Sequence, residues 1–204
     1  MRVHCLIVGL VSGFYLPGLA PVSYCPVGEE SEECVSKIEL FVNRLTSQDS
    51  VIPFEYSAFD FCEPEGAAKS PTENLGQVLF GERIRPSPYN INFMEDKKCE
   101  KLCDKSYKSA DDKIKFLKHG MMFSYEQHWI VDNMPVTWCY DTEGDNNKFC
   151  TTGFPMGCYV TPQGVPKDAC IISEKYRQAS TFYLFNHVDI TIYYHSGKGK
   201  RWSN

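Results

Sequence analysis

No stretch of this 204-residue chain approaches the roughly 20 consecutive apolar residues that a membrane-spanning helix requires. A surplus of positive charge is missing as well. With 21 basic against 26 acidic residues the net charge is -5, which argues against nucleic acid as a partner, because phosphate binding needs a concentrated basic surface. Paired Cys-x-x-Cys motifs are absent, so no zinc-finger spacing is present and no metal site is expected. Neither the Gly-x-Ser-x-Gly elbow of a serine hydrolase nor a phosphate-binding fingerprint occurs, the glycine pair Gly197 and Gly199 lacking the rest of either motif. No Asn-x-Ser/Thr acceptor is present, which says nothing for or against export. No repeat of 20 to 50 residues and no low-complexity linker divides the sequence, so one domain is expected.

Aromatic residues are abundant at 14%, with 12 Tyr, 13 Phe and 12 Pro. That composition favours strands over helical bundles. Arg2 and His4 precede a short apolar run, residues 5–11, and small residues follow, the pattern of a secretory signal cleaved after Gly13. The alternative is a short buried strand opening a cytosolic domain. Of the ten cysteines, Cys5 falls in this leader. The nine others are Cys25, Cys34, Cys62, Cys99, Cys103, Cys139, Cys150, Cys158 and Cys170, and in an exported chain they read as disulfide candidates with at least one left over.

Phe-Tyr-Leu-Pro-Gly-Leu-Ala-Pro at 14–21 predicts an extended aromatic arm. Cys25 and Cys34 bracket an acidic loop, and a local bond closes it at the least entropic cost. Strands are predicted around Ile38 to Val42, over 54–61, over 89–94 and, longest of all, over 181–195, where Asn186 marks a bulge. Cys99 and Cys103 approach each other only on a helix, since on a strand their Cα atoms lie roughly 13 Å apart. The polar spacing favours the strand, so one of them is expected to seek Cys62. A single convincing helix is predicted over 109–126, with Ser109 and Asp112 as a capping box. Between Trp129 and Trp138, both read as core, Asp132-Asn133 is turn chemistry and Pro135 keeps Met134 extended, giving two short buried strand segments. Turns at 141–147 and 162–164 bring Cys139 to Cys150 and Cys158 to Cys170. The whole reads as a mainly β, sandwich-like domain of eight to ten strands with a minor helical part, stabilised by disulfides.

Candidate chemistry is sparse. A cysteine nucleophile would use Cys99 or Cys103 with His128 or His187, but no protease signature surrounds any cysteine. An acidic compartment would protonate His119, His128, His187 or His195, and the simpler account of each is an ordinary satisfied or exposed histidine. No catalytic residue and no cofactor are expected.

Leu-Phe-Val-Asn-Arg-Leu at 40–45, Phe-Asp-Phe-Cys at 59–62, Glu73 through Ile84, Ser-Pro-Tyr at 87–89, Trp-Ile-Val-Asp-Asn-Met-Pro at 129–135 and Phe-Asn-His-Val-Asp-Ile at 185–190 resemble, in order, the N-terminal lumenal domain of the nonaspanins, the transmembrane nine superfamily. The resemblance implies a signal peptide at 1–13, a lumenal domain from residue 14 and nine membrane helices beyond it. It also implies residence in the endosome and Golgi system and a non-enzymatic role in folding, sorting and surface delivery of other membrane proteins. The sequence given stops at Asn204, inside what resembles that domain, and is expected to be a fragment. The other expectation is a secreted, disulfide-rich β domain that binds protein or glycan on its own.

Overall fold

The computed structural model describes residues 22–64, 66, 75–108, 111–141, 148–167 and 172–194. The expected signal 1–13 and arm 14–21 lie outside them. In chain order the strands are β1 (Lys37–Ile38), β2 (Leu40–Val42), β3 (Arg85–Pro86), β4 (Ile91–Asn92), β5 (Glu126–Gln127), β6 (Trp129–Val131), β7 (Met134–Pro135), β8 (Trp138–Asp141), β9 (Lys148–Thr151), β10 (Phe154–Pro155), β11 (Gly157–Val160) and β12 (Thr181–Leu184). Two α-helices join them, α1 (Leu75–Leu79) and α2 (Asp112–Met122). The domain is mainly β, as its aromatic content predicts, and is assembled from short strands.

The central sheet has the order β3-β2-β6-β7, all antiparallel. Leu40, Phe41 and Val42 are all buried, so β2 is covered on both faces and the expected alternation is replaced by a continuous apolar run. Prolines occupy both edge strands, Pro86 in β3 and Pro135 in β7. Successive N–H groups alternate sides along a strand. Ser87 donates inward to Leu40 and Val136 inward to Trp129, so each proline nitrogen faces outward, where a lost donor costs nothing. Asp132 and Asn133, both with positive φ (47° and 60°), form the two-residue turn joining β6 to β7, the geometry that matches strand twist.

The core gathers between this sheet, α2 and the 3₁₀ turn Tyr56–Phe59. Phe54, Phe59, Phe116 and Tyr125 meet at ring separations of 4.8 to 5.7 Å. Such pairs add about 0.5–1.5 kcal/mol each beyond their burial. Tyr125 is fully buried, and its hydroxyl donates to the Ile52 carbonyl at 2.6 Å. Asp111 caps α2 by accepting from the Lys113 N–H, and the buried Leu117 and Met121 face inward with Gly120 between them. A Cβ on Gly120 would lie 2.5 Å from the Phe59 ring and 2.7 Å from Met156 Sδ, so only glycine lets the helix settle this closely.

Several expectations are corrected. Residues 54–61 are a strand only at the Phe54 bridge to Leu45; beyond it the chain curls into the 3₁₀ turn, because that places Tyr56, Phe59 and Phe61 in one aromatic cluster. The long strand over 181–195 shortens to β12, which pairs with β11. From Phe185 to Tyr194 the chain runs outside any ladder, so Asn186 is no bulge. The helix ends at Met122, not 126, and its cap is Asp111; Ser109 lies outside the described residues. Cys99 and Cys103 lie on neither helix nor strand.

Candidate recognition surface

Sulfur fixes the periphery. Cys25 joins Cys34 across the acidic loop, Cys62 joins Cys103 and Cys139 joins Cys150, with Cα separations of 5.7, 5.9 and 4.1 Å. Cys158 is also disulfide-bonded, and its expected partner Cys170 lies outside the described residues. Cys99 is exposed with a free thiol.

Beside the Cys62–Cys103 bond, Asp60 sits in the left-handed conformation that ends the 3₁₀ turn. It accepts from Lys105 Nζ and Lys113 Nζ, both at 3.0 Å, and from the Tyr107 hydroxyl at 2.8 Å. Burial alone would raise the Asp60 carboxyl, but the bonds from Lys113, Lys105 and Tyr107 outweigh it and hold the group at about 2. Burial and the adjacent Asp60 carboxylate push the Tyr107 phenol up to about 12. Lys105 Nζ donates also to the Asp60 and Phe61 carbonyls, at 2.7 and 3.0 Å, so the cluster is a clasp between the turn, the segment carrying Cys103 and α2.

The histidines are dispersed. His119 lies among Phe116 and Phe123, His128 Nε2 is 2.7 Å from Thr46 Oγ1, and His187 contacts Asp189 at 3.3 Å on the surface. His195 lies outside the described residues. His128 and His187 thus meet Thr46 and Asp189, and not the Cys99 thiol. Among the described residues no group of three or more His, Cys, Asp or Glu is placed to hold a metal ion, and no helix is long and apolar enough to cross a membrane. A shallow cleft lined by Pro26, Val27, Phe93, Met94 and Glu95 offers one carboxylate among apolar groups.

Two exposed apolar surfaces stand out among the described residues, and the sequence pointed to neither. The first is α1 and its C-terminal neighbour: Leu79 and Phe80 are each 77% exposed, and Leu75 and Val78 about half exposed. The run looks like core in sequence, and only the fold shows that it projects. It is held from behind by the buried Asn43, whose side-chain carbonyl accepts from the backbone N–H of both Arg44 and Arg83 at 2.8 Å. Arg44 Nη2 then donates to the Phe80 carbonyl at 2.8 Å, placing a cation at the carbonyl end of α1 where the helix dipole favours it. Gly81 (φ 69°) turns the chain beneath that guanidinium; a Cβ there would meet Arg44 Nη1 at 2.9 Å.

The second surface is the β8–β9 hairpin. Trp138 faces Thr151, Tyr140 faces Phe149 and Cys139 faces Cys150, so Trp138, Tyr140 and Phe149 share one side of the ribbon, opposite the disulfide. Their rings lie 5.2 and 6.2 Å apart in sequence along that side. Trp138 is half-buried and Phe149 is 52% exposed. The expectation that Trp138 belongs to the core is therefore corrected: Trp129 is core, at 3% exposure, whereas Trp138 stands on a projecting ribbon. Met134 and Pro135 are exposed too, so the second of the two buried segments is in fact a solvent edge.

These features define a disulfide-stapled, mainly β domain with rigidly presented apolar surfaces. The family model described as Endomembrane protein 70 matches residues 53–203. The chain is 56% identical to Transmembrane 9 superfamily member 2 of Homo sapiens over 205 residues, covering 96% of this chain and 31% of that protein. It is 58% identical to the Pongo abelii protein of that name over 187 residues, covering 90% and 28%. It is 31% identical to Transmembrane 9 superfamily member 1 of Saccharomyces cerevisiae over 229 residues, covering 94% and 33%. The chain belongs to the transmembrane 9 superfamily of endomembrane proteins, and it spans about a third of the length of these relatives. No solved structure matches it.

Proposed function

We propose that this chain is the lumenal domain of an endosome and Golgi membrane protein, and that it assists the sorting, trafficking and surface delivery of other membrane proteins without catalysis, cofactor or nucleic acid. The observation that carries the reading is the α1 surface, where apolar side chains are held out to solvent by a buried Asn43 and a capping Arg44. Exposed apolar groups lower solubility unless they serve contact. Disulfide cross-links suit an oxidising lumen. The test is removal of the locus encoding this chain, followed by surface biotinylation of the cell's membrane proteins. Reduced delivery of a defined subset, restored by the wild-type gene, is the expected result; unchanged delivery across the surface proteome overturns the reading.

A second reading, a secreted binder of protein or glycan, is favoured by the aromatic side of the β8–β9 hairpin, because ring faces of Trp138, Tyr140 and Phe149 suit the apolar face of a sugar. Binding of the purified chain to a glycan array, lost on Phe149→Ser, would select it over the first.

A further inference from the structure

We infer that segment 186–194, which runs outside any ladder, is a docking edge for the chain's own aromatic arm, residues 14–21, which adds to it as a parallel strand. The edge belongs to the described residues and the arm lies outside them.

The segment has the pattern of a strand without the neighbour. Val188, Ile190 and Ile192 are half-buried and alternate with exposed His187, Asp189, Thr191 and Tyr193. Val188 and Ile190 pack against the core cluster, so the segment is seated on the body of the domain. The ladder with β11 ends where Phe185 donates to the Met156 carbonyl at 3.1 Å, and no backbone bond from residues 186–194 follows among the described residues. A row of unpaired N–H and C=O groups along an extended, anchored segment is what an added strand pairs with.

Position, length and proline phase select the arm as that strand. Tyr24 stacks on Phe93 at 6.0 Å, and Phe93 meets Tyr194 edge-on at 4.7 Å. The described chain therefore begins, at Val22, beside the far end of the segment. Nine extended residues span about 30 Å, so residues 14–22 match 186–194 and, turning back along it from Tyr194, run parallel to it. The phase follows from hydrogen bonds already made. Cys25 donates to the Val35 carbonyl and Val35 to the Ser23 carbonyl, so Ser23 and Cys25 face Val35 and Tyr24 faces the other way. Carried back through an extended arm, that alternation sets Phe14, Leu16, Gly18, Ala20 and Val22 on the side of Tyr24, and each of them has an N–H to donate. Pro17 and Pro21 both fall on the opposite side, where a missing donor costs nothing. Pro86 and Pro135 are placed by the same rule in the central sheet. Attachment at Val22 also holds the arm near the edge at a high effective concentration, an advantage that a free peptide or a second copy lacks.

The test is amide hydrogen exchange, read by mass spectrometry on protein expressed from the full 204-residue sequence in a secretory host. In wild type, residues 186–194 should exchange about tenfold or more slowly than an unpaired chain. Ala20→Pro removes a donor from the pairing phase and should abolish most of that protection. Leu19→Pro, in the phase of Pro17 and Pro21, should leave it in place. Exchange across α2 reports the folded body and should be the same in all three proteins; should Ala20→Pro disturb it, Leu16→Pro repeats the test from the same phase. Unprotected amides at 186–194 in wild type overturn the inference, as does equal exchange in the two proline variants. Protection that rises with protein concentration also overturns it, assigning the edge to a second copy. No membrane-protein delivery enters the measurement, so its failure leaves the delivery assay standing.

Discussion

Trp129 and Trp138 lie nine residues apart in similar apolar surroundings, yet one is sealed in the central sheet and the other stands on a ribbon held by a disulfide. Trp129 packs between Tyr89 and Phe154 at 5.0 and 4.7 Å and donates Nε1–H to Gln127. Trp138 meets the ring of Tyr140, on its own strand. Burial organises the first region, while a covalent cross-link organises the second. A small domain with limited core can extend structure beyond that core only where something other than burial fixes the backbone.

The sharpest way to break this comparison is to truncate both tryptophans. Trp129→Ala should cost about 3–5 kcal/mol of stability in chemical denaturation, enough to unfold a marginal domain at body temperature. Asn43→Ala should cost about 2 kcal/mol, because it strands two backbone donors that are otherwise satisfied; the change tests whether the α1 surface belongs to the cooperative body.

The Asp60 clasp gives the body a pH signature. Its carboxyl is held at about 2, below its ordinary 3.8, so the folded state favours the charged form. That stabilisation is fully present above pH 4 and is lost as pH falls through the folded value toward 2. Allowing for water around the lysines, it is worth about 1–2 kcal/mol. Acid titration of the melting midpoint should show this limb, and Asp60→Asn should flatten it.

For the ribbon, Cys139→Ser with Cys150→Ser should raise amide exchange across β8 and β9 while shifting the global midpoint little. A global loss near the full entropic value of about 3 kcal/mol for a loop of this size would mean that the hairpin unfolds together with the core. Trp138→Ala, finally, should cost less than about 1 kcal/mol; a loss matching that of Trp129→Ala would erase the distinction.

What was legible in the sequence follows the range of the forces involved. Asp132-Asn133 specifies its own turn, because short polar residues tolerate positive φ whatever surrounds them. The helix is legible from its apolar stripe, although its start moved to Asp111, whose carboxylate takes the capping bond. The cross-links at Cys25 and Cys139 follow from loop closure between near neighbours. Residues 181–195 could not be resolved that way: an alternating pattern permits an extended chain, but a ladder needs a neighbour, and β11 reaches only as far as Leu184. Residues 54–61 turned on the same point, since their aromatic spacing serves a three-dimensional cluster as well as it serves a strand. The α1 surface was hidden most completely. Nothing in Leu-Gly-Gln-Val-Leu-Phe distinguishes a buried run from one held outward by Asn43, which lies more than 30 residues away in the chain.

The outward-facing prolines of the central sheet carry a further consequence. A strand arriving from a neighbouring molecule would find, at Pro86 on one side and Pro135 on the other, no donor to begin the next ladder. The sheet therefore terminates itself. Wherever copies of the chain meet at high concentration, this halts growth by strand addition at both ends, and leaves association to the faces and helices where side chains can choose their company.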